Sequence, residues 1–198
     1  MFRSLIAAVA GAALLAGASA AQSATLIYTT SLSGSSEVPP TGSPATGTTL
    51  VTINDVTNTM FVQETFSGLI GGSASAAHIH CCTPVGTNTG VAVPFTGFPA
   101  ATSGTYNNAF DLTSSAIYSS AFLATSGGTA AGAEAALLTG LANNQAYSNI
   151  HDATFPGGEI RGFLSLAVPE PGSWALMIIG SALAGAALRR RRWALAQD

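Results

Sequence analysis

The stretch Ala77-His78-Ile79-His80-Cys81-Cys82 holds two of the three histidines in the chain. Alternate residues of a β-strand point to the same face, so a strand over residues 76–80 would place His78 and His80 side by side. The third histidine, His151, ends Tyr147-Ser148-Asn149-Ile150-His151, which also has a strand pattern. If these two strands pair, three imidazoles meet, and three nitrogen ligands suit Zn²⁺ or Cu²⁺. The pattern therefore predicts a metal site at His78, His80 and His151.

A structural role is the alternative for the same three side chains. The histidines would then hydrogen-bond to the backbone and fix the two strands against each other, without an ion. On this hypothesis a histidine-to-alanine change alters stability at most, whereas on the metal hypothesis it removes a bound ion.

Cys81 and Cys82 follow the second histidine directly. Two thiols in an exported protein normally pair, although adjacent cysteines can do so only in a small, strained ring. The sequence favours a vicinal disulfide. Intermolecular disulfides and thiolate ligands beside His80 are the alternatives.

The middle of the chain is acidic. Between residues 25 and 166 it has seven carboxylates, no lysine and one arginine, Arg161. A phosphate backbone needs a basic surface, so this composition excludes nucleic acid as a partner. A solitary cation among acids should be paired, which predicts a structural ion pair between Glu37 and Arg161. Glu37 as an oxygen ligand beside the histidines is the alternative.

The N-terminus has the layout of a secretory signal peptide. Arg3 lies in a short positive segment, residues 5–16 are apolar, and Ala18-Ser19-Ala20 is a small-residue cleavage site. We expect a signal peptide over residues 1–20 with cleavage before Ala21. Export to an oxidising compartment would follow.

The C-terminus combines a rigid break, an apolar run and a basic cluster. The break is Val168-Pro169-Glu170-Pro171-Gly172, and the run extends from Trp174 to Leu188. Such a run is near the minimum for a membrane span, roughly 17 residues. The basic cluster, which would hold the end of the helix in the cytoplasm, is Arg189, Arg190, Arg191 and Arg192.

Over residues 168–193 these three features resemble the PEP-CTERM sorting signal of Gram-negative bacteria. The resemblance implies that Pro169, Glu170 and Pro171 are recognised by a membrane enzyme, an exosortase, which cuts the tail. The precursor would be anchored in the inner membrane with its domain outside. The product would then reach the cell surface or an extracellular polysaccharide matrix.

Residues 25–166 have the size of a single domain. Strand-like segments recur between Gly, Pro, Asn and Ser, at 26–30, 48–53, 60–66, 76–80, 106–112, 146–150 and 159–166. Residues 81–105 form a long irregular segment, and Glu134 to Leu141 is the one plausible helix. The pattern predicts a mainly β fold, an antiparallel β-sandwich or barrel with one short helix.

Three ordered motifs span this domain: Ser31 to Pro40, Ala77 to His80, and Tyr147 to His151 with the Pro156 to Gly162 segment after it. Together they resemble the CHRD domain, first described in chordin and widespread in exported bacterial proteins. The resemblance implies an extracellular module and brings no established biochemical activity with it.

The leading expectation is therefore a non-enzymatic, exported surface or matrix protein. The sequence has neither a G-x-S-x-G nucleophile motif nor a phosphate-binding glycine loop. A copper- or zinc-binding protein or oxidoreductase using the three histidines is the alternative. A carbohydrate-binding or adhesion module is a minor alternative, with Phe95, Phe98 and Tyr106 stacking on sugars.

Overall fold

The structure, a computed structural model, describes residues 25–167 and 180–182. The strands are β1 (Thr25–Ser33), β2 (Thr46–Asn54), β3 (Thr59–Ser67), β4 (Ala76–Cys81), β5 (Val91–Pro94), β6 (Gly104–Asp111), β7 (Ala146–His151), β8 (Ile160–Phe163) and β9 (Ser165–Leu166). The helices are α1 (Ser120–Thr125) and α2 (Ala130–Ala142). The predicted signal peptide and nearly all of the predicted sorting signal lie outside the described residues.

Within that described part of the chain, no helix combines the length and the apolar character that crossing a bilayer requires. The transmembrane helix predicted over 174–188 falls almost entirely on residues that the structure does not describe.

Local sequence explains the hairpin of β2 and β3. In β3 the buried residues Met60, Val62 and Phe66 alternate with exposed neighbours, as expected for a strand with one face in the core. The turn before β3 is fixed by Asn54, whose Oδ1 accepts hydrogen bonds from the N–H groups of Val56 and Thr57 at 3.0 Å each. These two effects set the register of the hairpin.

All nine strands belong to one antiparallel sheet, in the order β5-β4-β7-β8-β1-β2-β3-β6, with β9 also paired to β1. The mainly β, antiparallel prediction is confirmed. The predicted sandwich or barrel takes the coarser form of a half-barrel, because the strands form one curled sheet. The last predicted strand is divided at Leu164, whose N–H bonds to Ala146 on β7 while Ser165 and Leu166 pair with β1.

Aromatic side chains join the two ends of the curled sheet. Phe95 follows β5 and Tyr106 lies on β6, and their rings stack with centroids 5.2 Å apart. The Tyr106 hydroxyl donates a 3.2 Å hydrogen bond to the carbonyl of Thr96. Phe95 and Tyr106 are only 4% and 5% exposed, and Phe98 packs on Phe66. Phe95 and Tyr106 are therefore core residues with no ring face open to a sugar, which corrects that part of the prediction. Phe98 is partly buried against the core.

Two helices cover the sheet where one short helix was predicted. Thr129 caps α2 by accepting a hydrogen bond from the N–H of Gly132, so the helix begins before Glu134. Ala133, Leu137 and Leu141 are four residues apart and fully buried, which places one face of α2 on the core. The buried cluster as a whole runs from Tyr28 to Leu164. Residues 28–164 thus contain one continuous core, so we expect this segment to fold as a unit.

Candidate metal centre

The pairing of β4 with β7 assembles the predicted site. In this antiparallel pair Ala76 lies opposite His151, and His78 lies opposite Asn149. Because alternate residues share a face, the imidazoles project together from the outer face of the sheet. The intervening Ile79 is fully buried in the core. The structure therefore brings His78, His80 and His151 together.

The imidazoles are close enough to share one ion. One ring nitrogen of each histidine can be chosen so that all three atoms lie within 4.8 Å of one another. The ring centroids are 5.0 Å apart for His78 and His151, and 5.6 Å apart for His78 and His80. His80 is only 7% exposed.

Backbone carbonyls fix the tautomer of two of the rings. The Nδ1 atom of His80 lies 2.8 Å from the carbonyl oxygen of Thr89. The Nδ1 atom of His151 lies 2.9 Å from the carbonyl oxygen of Pro156. A carbonyl only accepts, so each Nδ1 donates, and each neutral ring keeps its lone pair on Nε2. Metal-ligating histidines commonly have this arrangement.

The surroundings favour neutral imidazoles. Burial, together with the neighbouring His151 and His80, lowers the pKa of His78 from 6.5 to about 4. Burial also lowers the pKa of His80 and that of His151. Neutral rings are the form in which imidazole binds a metal. Two atoms that could donate lone pairs, His78 Nδ1 and His80 Nε2, are buried without a hydrogen-bond partner.

The predicted ion pair lies beside the histidines. Arg161 Nε is 3.7 Å from Glu37 Oε2, and the side chains are 1% and 4% exposed. Arg161 also donates to the carbonyl of Ser36 and to Asn88 Oδ1, at 2.6 Å each. Burial raises the pKa of Glu37 to about 7, while Arg161 partly offsets the rise. The glutamate itself is not among the residues that approach one another within 4.8 Å.

Stacked rings connect the ion pair with the histidines. Tyr147 packs parallel to His80, with centroids 4.7 Å apart. The Arg161 guanidinium lies over the Tyr147 ring at 4.7 Å. The guanidinium is thereby held through both its charge and its flat face.

Asn149 belongs to the site although it is not among the residues predicted from the sequence. Its Oδ1 lies 2.9 Å from His151 Nε2, and its side chain also interacts with His80. Its amide nitrogen lies beside the Glu37 carboxylate and lowers the pKa of that group, although Glu37 Oε1 accepts no hydrogen bond of regular geometry. The sequence contains the pattern that could have identified it. Asn149 lies two residues before His151 in the same strand, so the two side chains share a face.

A family model for the CHRD domain matches residues 28–164. The chain belongs to the CHRD family. A model for the PEP-CTERM protein-sorting motif matches residues 167–192. No curated protein and no solved structure gives a match.

The three motifs of this CHRD domain meet at the site. The first motif supplies Glu37, and the second supplies His78 and His80. The third supplies His151 from β7 and Arg161 from β8. The loop of residues 154–158, which leads into the second part of the third motif, borders a groove of about 410 Å³ whose lining includes Glu37. The cluster is thus assembled from every segment by which the sequence resembled the family.

The sorting motif confirms the resemblance noted at the C-terminus. A PEP-CTERM signal implies an exported protein of a Gram-negative bacterium, made as a membrane-anchored precursor and processed by exosortase-type machinery. The matched range, 167–192, contains Pro169, Glu170 and Pro171 together with the four arginines of the basic cluster.

The cysteines form a disulfide and lie apart from the three-histidine cluster. Cys81 and Cys82 are bonded to each other in this structure. They pack against α2, with Cys82 Sγ 3.3 Å from the carbonyl oxygen of Ala136. Cys81 is buried on the core side of β4, opposite to the imidazole of His80. The structure therefore has no thiolate beside the histidines.

Proposed function

We propose that this chain is the precursor of an exported, non-enzymatic CHRD protein that binds one Cu²⁺ or Zn²⁺ ion through His78, His80 and His151. The observation that carries the proposal is the meeting of three imidazoles, two of which have Nδ1 held by a backbone carbonyl. Imidazole is a preferred ligand of both ions.

Only small movements are needed for these rings to hold an ion. Metal–nitrogen bonds of about 2.0–2.1 Å in a tetrahedral site separate the nitrogens by roughly 3.3 Å. The ligand atoms begin within 4.8 Å of one another. Side-chain rotations close this difference while the two strands stay paired.

Metal content is the first measurement. The exported domain, Ala21 to Ala167, is purified without a His tag from a periplasmic preparation and analysed by mass spectrometry. We expect about one Cu or Zn per chain, lost in His78→Ala and kept in Asn107→Ala, a change at an exposed position of β6. A folded wild-type domain that takes up neither ion on dialysis would overturn the proposal. Redox turnover by the loaded domain would overturn its non-enzymatic part.

We further propose that the processed protein resides at the cell surface or in an extracellular polysaccharide matrix. The support is the sorting motif, which follows the folded domain directly. In a host with exosortase, the wild-type chain should lose its C-terminal segment and leave the membrane fraction. Glu170→Ala should keep the segment and stay in that fraction. Equal processing of both chains would contradict this assignment.

A further inference from the structure

We propose that Asn149 is a fourth metal ligand, through Oδ1, so that this CHRD domain holds its ion in a site of three nitrogens and one oxygen. The inference rests on the proposed metal-binding function and deepens it by naming the full ligand set. Glu37 and Arg161 act behind this ligand as positioning residues.

Acceptor atoms converge at the site. His151 Nδ1 lies 2.9 Å from the carbonyl oxygen of Pro156, and its Nε2 lies 2.9 Å from Asn149 Oδ1. Both partners are acceptors, so a single ring proton satisfies only one of these two contacts. A second ring proton would serve this one contact alone, whereas a metal ion between Nε2 and Oδ1 would also serve the neighbouring histidines.

His80 contributes a further lone pair at the same place. Its Nδ1 donates to the Thr89 carbonyl, and its Nε2 is buried without a partner. The side chain of Asn149 reaches this ring as well. A divalent ion bound by both imidazoles and by Oδ1 would satisfy every one of these unpaired acceptors.

The contacts of the Asn149 amide fix which of its two atoms faces the histidines. In the observed orientation Nδ2 faces the Gly157 carbonyl at 3.5 Å and lies beside the Glu37 carboxylate. Exchanging the two amide atoms would direct the oxygen at two acceptors. The surroundings therefore keep Nδ2 on the Glu37 side and Oδ1 on the histidine side.

Glu37 is itself held in place. Arg161 Nε lies 3.7 Å from its Oε2. Gly158 packs against the place where Glu37 meets Asn149, because a Cβ on that residue would lie 2.5 Å from both Asn149 Nδ2 and Glu37 Oε1. Arg161, Glu37 and Asn149 thus form a continuous chain of contacts that ends at the ligand oxygen. Outer contacts of this kind orient the ligands in known metal sites.

Copper titration with isothermal calorimetry and electron paramagnetic resonance tests the proposal on the Ala21 to Ala167 domain. Asn149→Leu removes the oxygen at similar volume, and Asn149→Asp keeps an oxygen but makes it charged. We expect Asn149→Leu to weaken Cu²⁺ binding by about 10- to 100-fold. We expect both variants to change the copper spectrum. Asn107→Leu, on an exposed position of β6, is the matched control and should match the wild type.

An unchanged spectrum in either Asn149 variant would overturn the ligand assignment, even where the affinity falls. Asn149→Asp keeps the test valid if Asn149→Leu fails to fold, which circular dichroism reports. A wild-type domain that binds no Cu²⁺ would overturn the metal-binding function as well. Wild-type binding with unchanged Asn149 variants would overturn the fourth ligand alone.

Discussion

The carboxylate of Glu64 on β3 accepts a 2.6 Å hydrogen bond from the Ser148 hydroxyl on β7. The two strands are not neighbours in the sheet, so the bond crosses the interior of the half-barrel. Thr49 donates a second hydrogen bond to the same oxygen, Oε2, at 2.7 Å. Burial raises the pKa of Glu64 from 4.5 to about 7, and the two hydroxyl donors limit the rise.

This carboxyl should make stability depend on pH. Its raised pKa means that the folded domain binds more protons than the unfolded chain between pH 4.5 and about 7. The contribution is therefore fully present below pH 4.5 and is lost as the pH rises through 7. Glu64→Gln mimics the protonated group and removes this dependence. Relative to the wild type, we expect the variant to gain about 3 kcal/mol in the free energy of unfolding between pH 4 and pH 8.

Urea unfolding at a series of pH values provides this comparison. Taking the difference between the two proteins cancels the other titrating groups, including Glu37 and the histidines. Parallel stability curves for wild type and variant would show that Glu64 titrates normally.

The effects of substitutions at Glu37 and Arg161 on stability should depend strongly on each other, because the two side chains form an ion pair. Arg161→Met leaves a buried carboxylate without its counter-charge and removes the cation over Tyr147, so we expect a loss of about 3–5 kcal/mol in the free energy of unfolding. Glu37→Gln in the same background removes the unpaired charge and should restore part of the loss. A double-mutant cycle by urea unfolding measures the coupling, and simple additivity would contradict it.

Replacing each of two adjacent glycines, Gly157 and Gly158, with alanine should change stability by different amounts. Gly158 has a φ of +122°, and a Cβ there would contact Asn149 and Glu37. We expect Gly158→Ala to cost about 1–3 kcal/mol of stability and to weaken metal binding. Gly157→Ala is the control, because a Cβ at that position meets nothing within 4 Å. Thermal unfolding of both variants tests the contrast, and equal effects would argue against it.

Replacing Gly140 with alanine should lower the stability of the domain, although alanine usually favours a helix. In an exposed helix interior Gly→Ala stabilises by about 1 kcal/mol. Here a Cβ would collide with Cys81 Sγ and lie 2.5 Å from Cys82 Sγ. We expect Gly140→Ala to destabilise the domain by about 1–3 kcal/mol.

The control for this prediction is the same change in a Cys81→Ala/Cys82→Ala background, which removes both sulfur atoms. Unfolding in urea should show a smaller cost there. An equal cost in the two backgrounds would mean that the disulfide is not what crowds Gly140.

Much of the site follows from a local rule of strands. The two-residue period places His78 beside His80, and the same period places Asn149 beside His151. The solitary Arg161 was predicted to pair with Glu37, and the structure puts the two in contact. Such features depend on few residues and on elementary charge balance, so the sequence is sufficient to suggest them.

Other features depend on partners far away in the chain. Val91–Pro94 is too short to stand out within a glycine- and proline-rich segment, and it becomes a strand only through pairing with β4. The curl of the sheet depends on contacts between its two ends, such as Phe95 with Tyr106. Phe95, seen only as an aromatic residue in a loop, resembles a binding residue as much as a core residue.

Ile79 lies between the two histidines of β4 and has no exposed surface. It anchors the strand in the hydrophobic interior, so the spacing of the imidazoles is set by the fold before any ion arrives. Small zinc domains that fold around their metal lack such an independent scaffold. On the proposed metal-binding function, the domain would therefore stay folded when the ion leaves, and binding would be reversible.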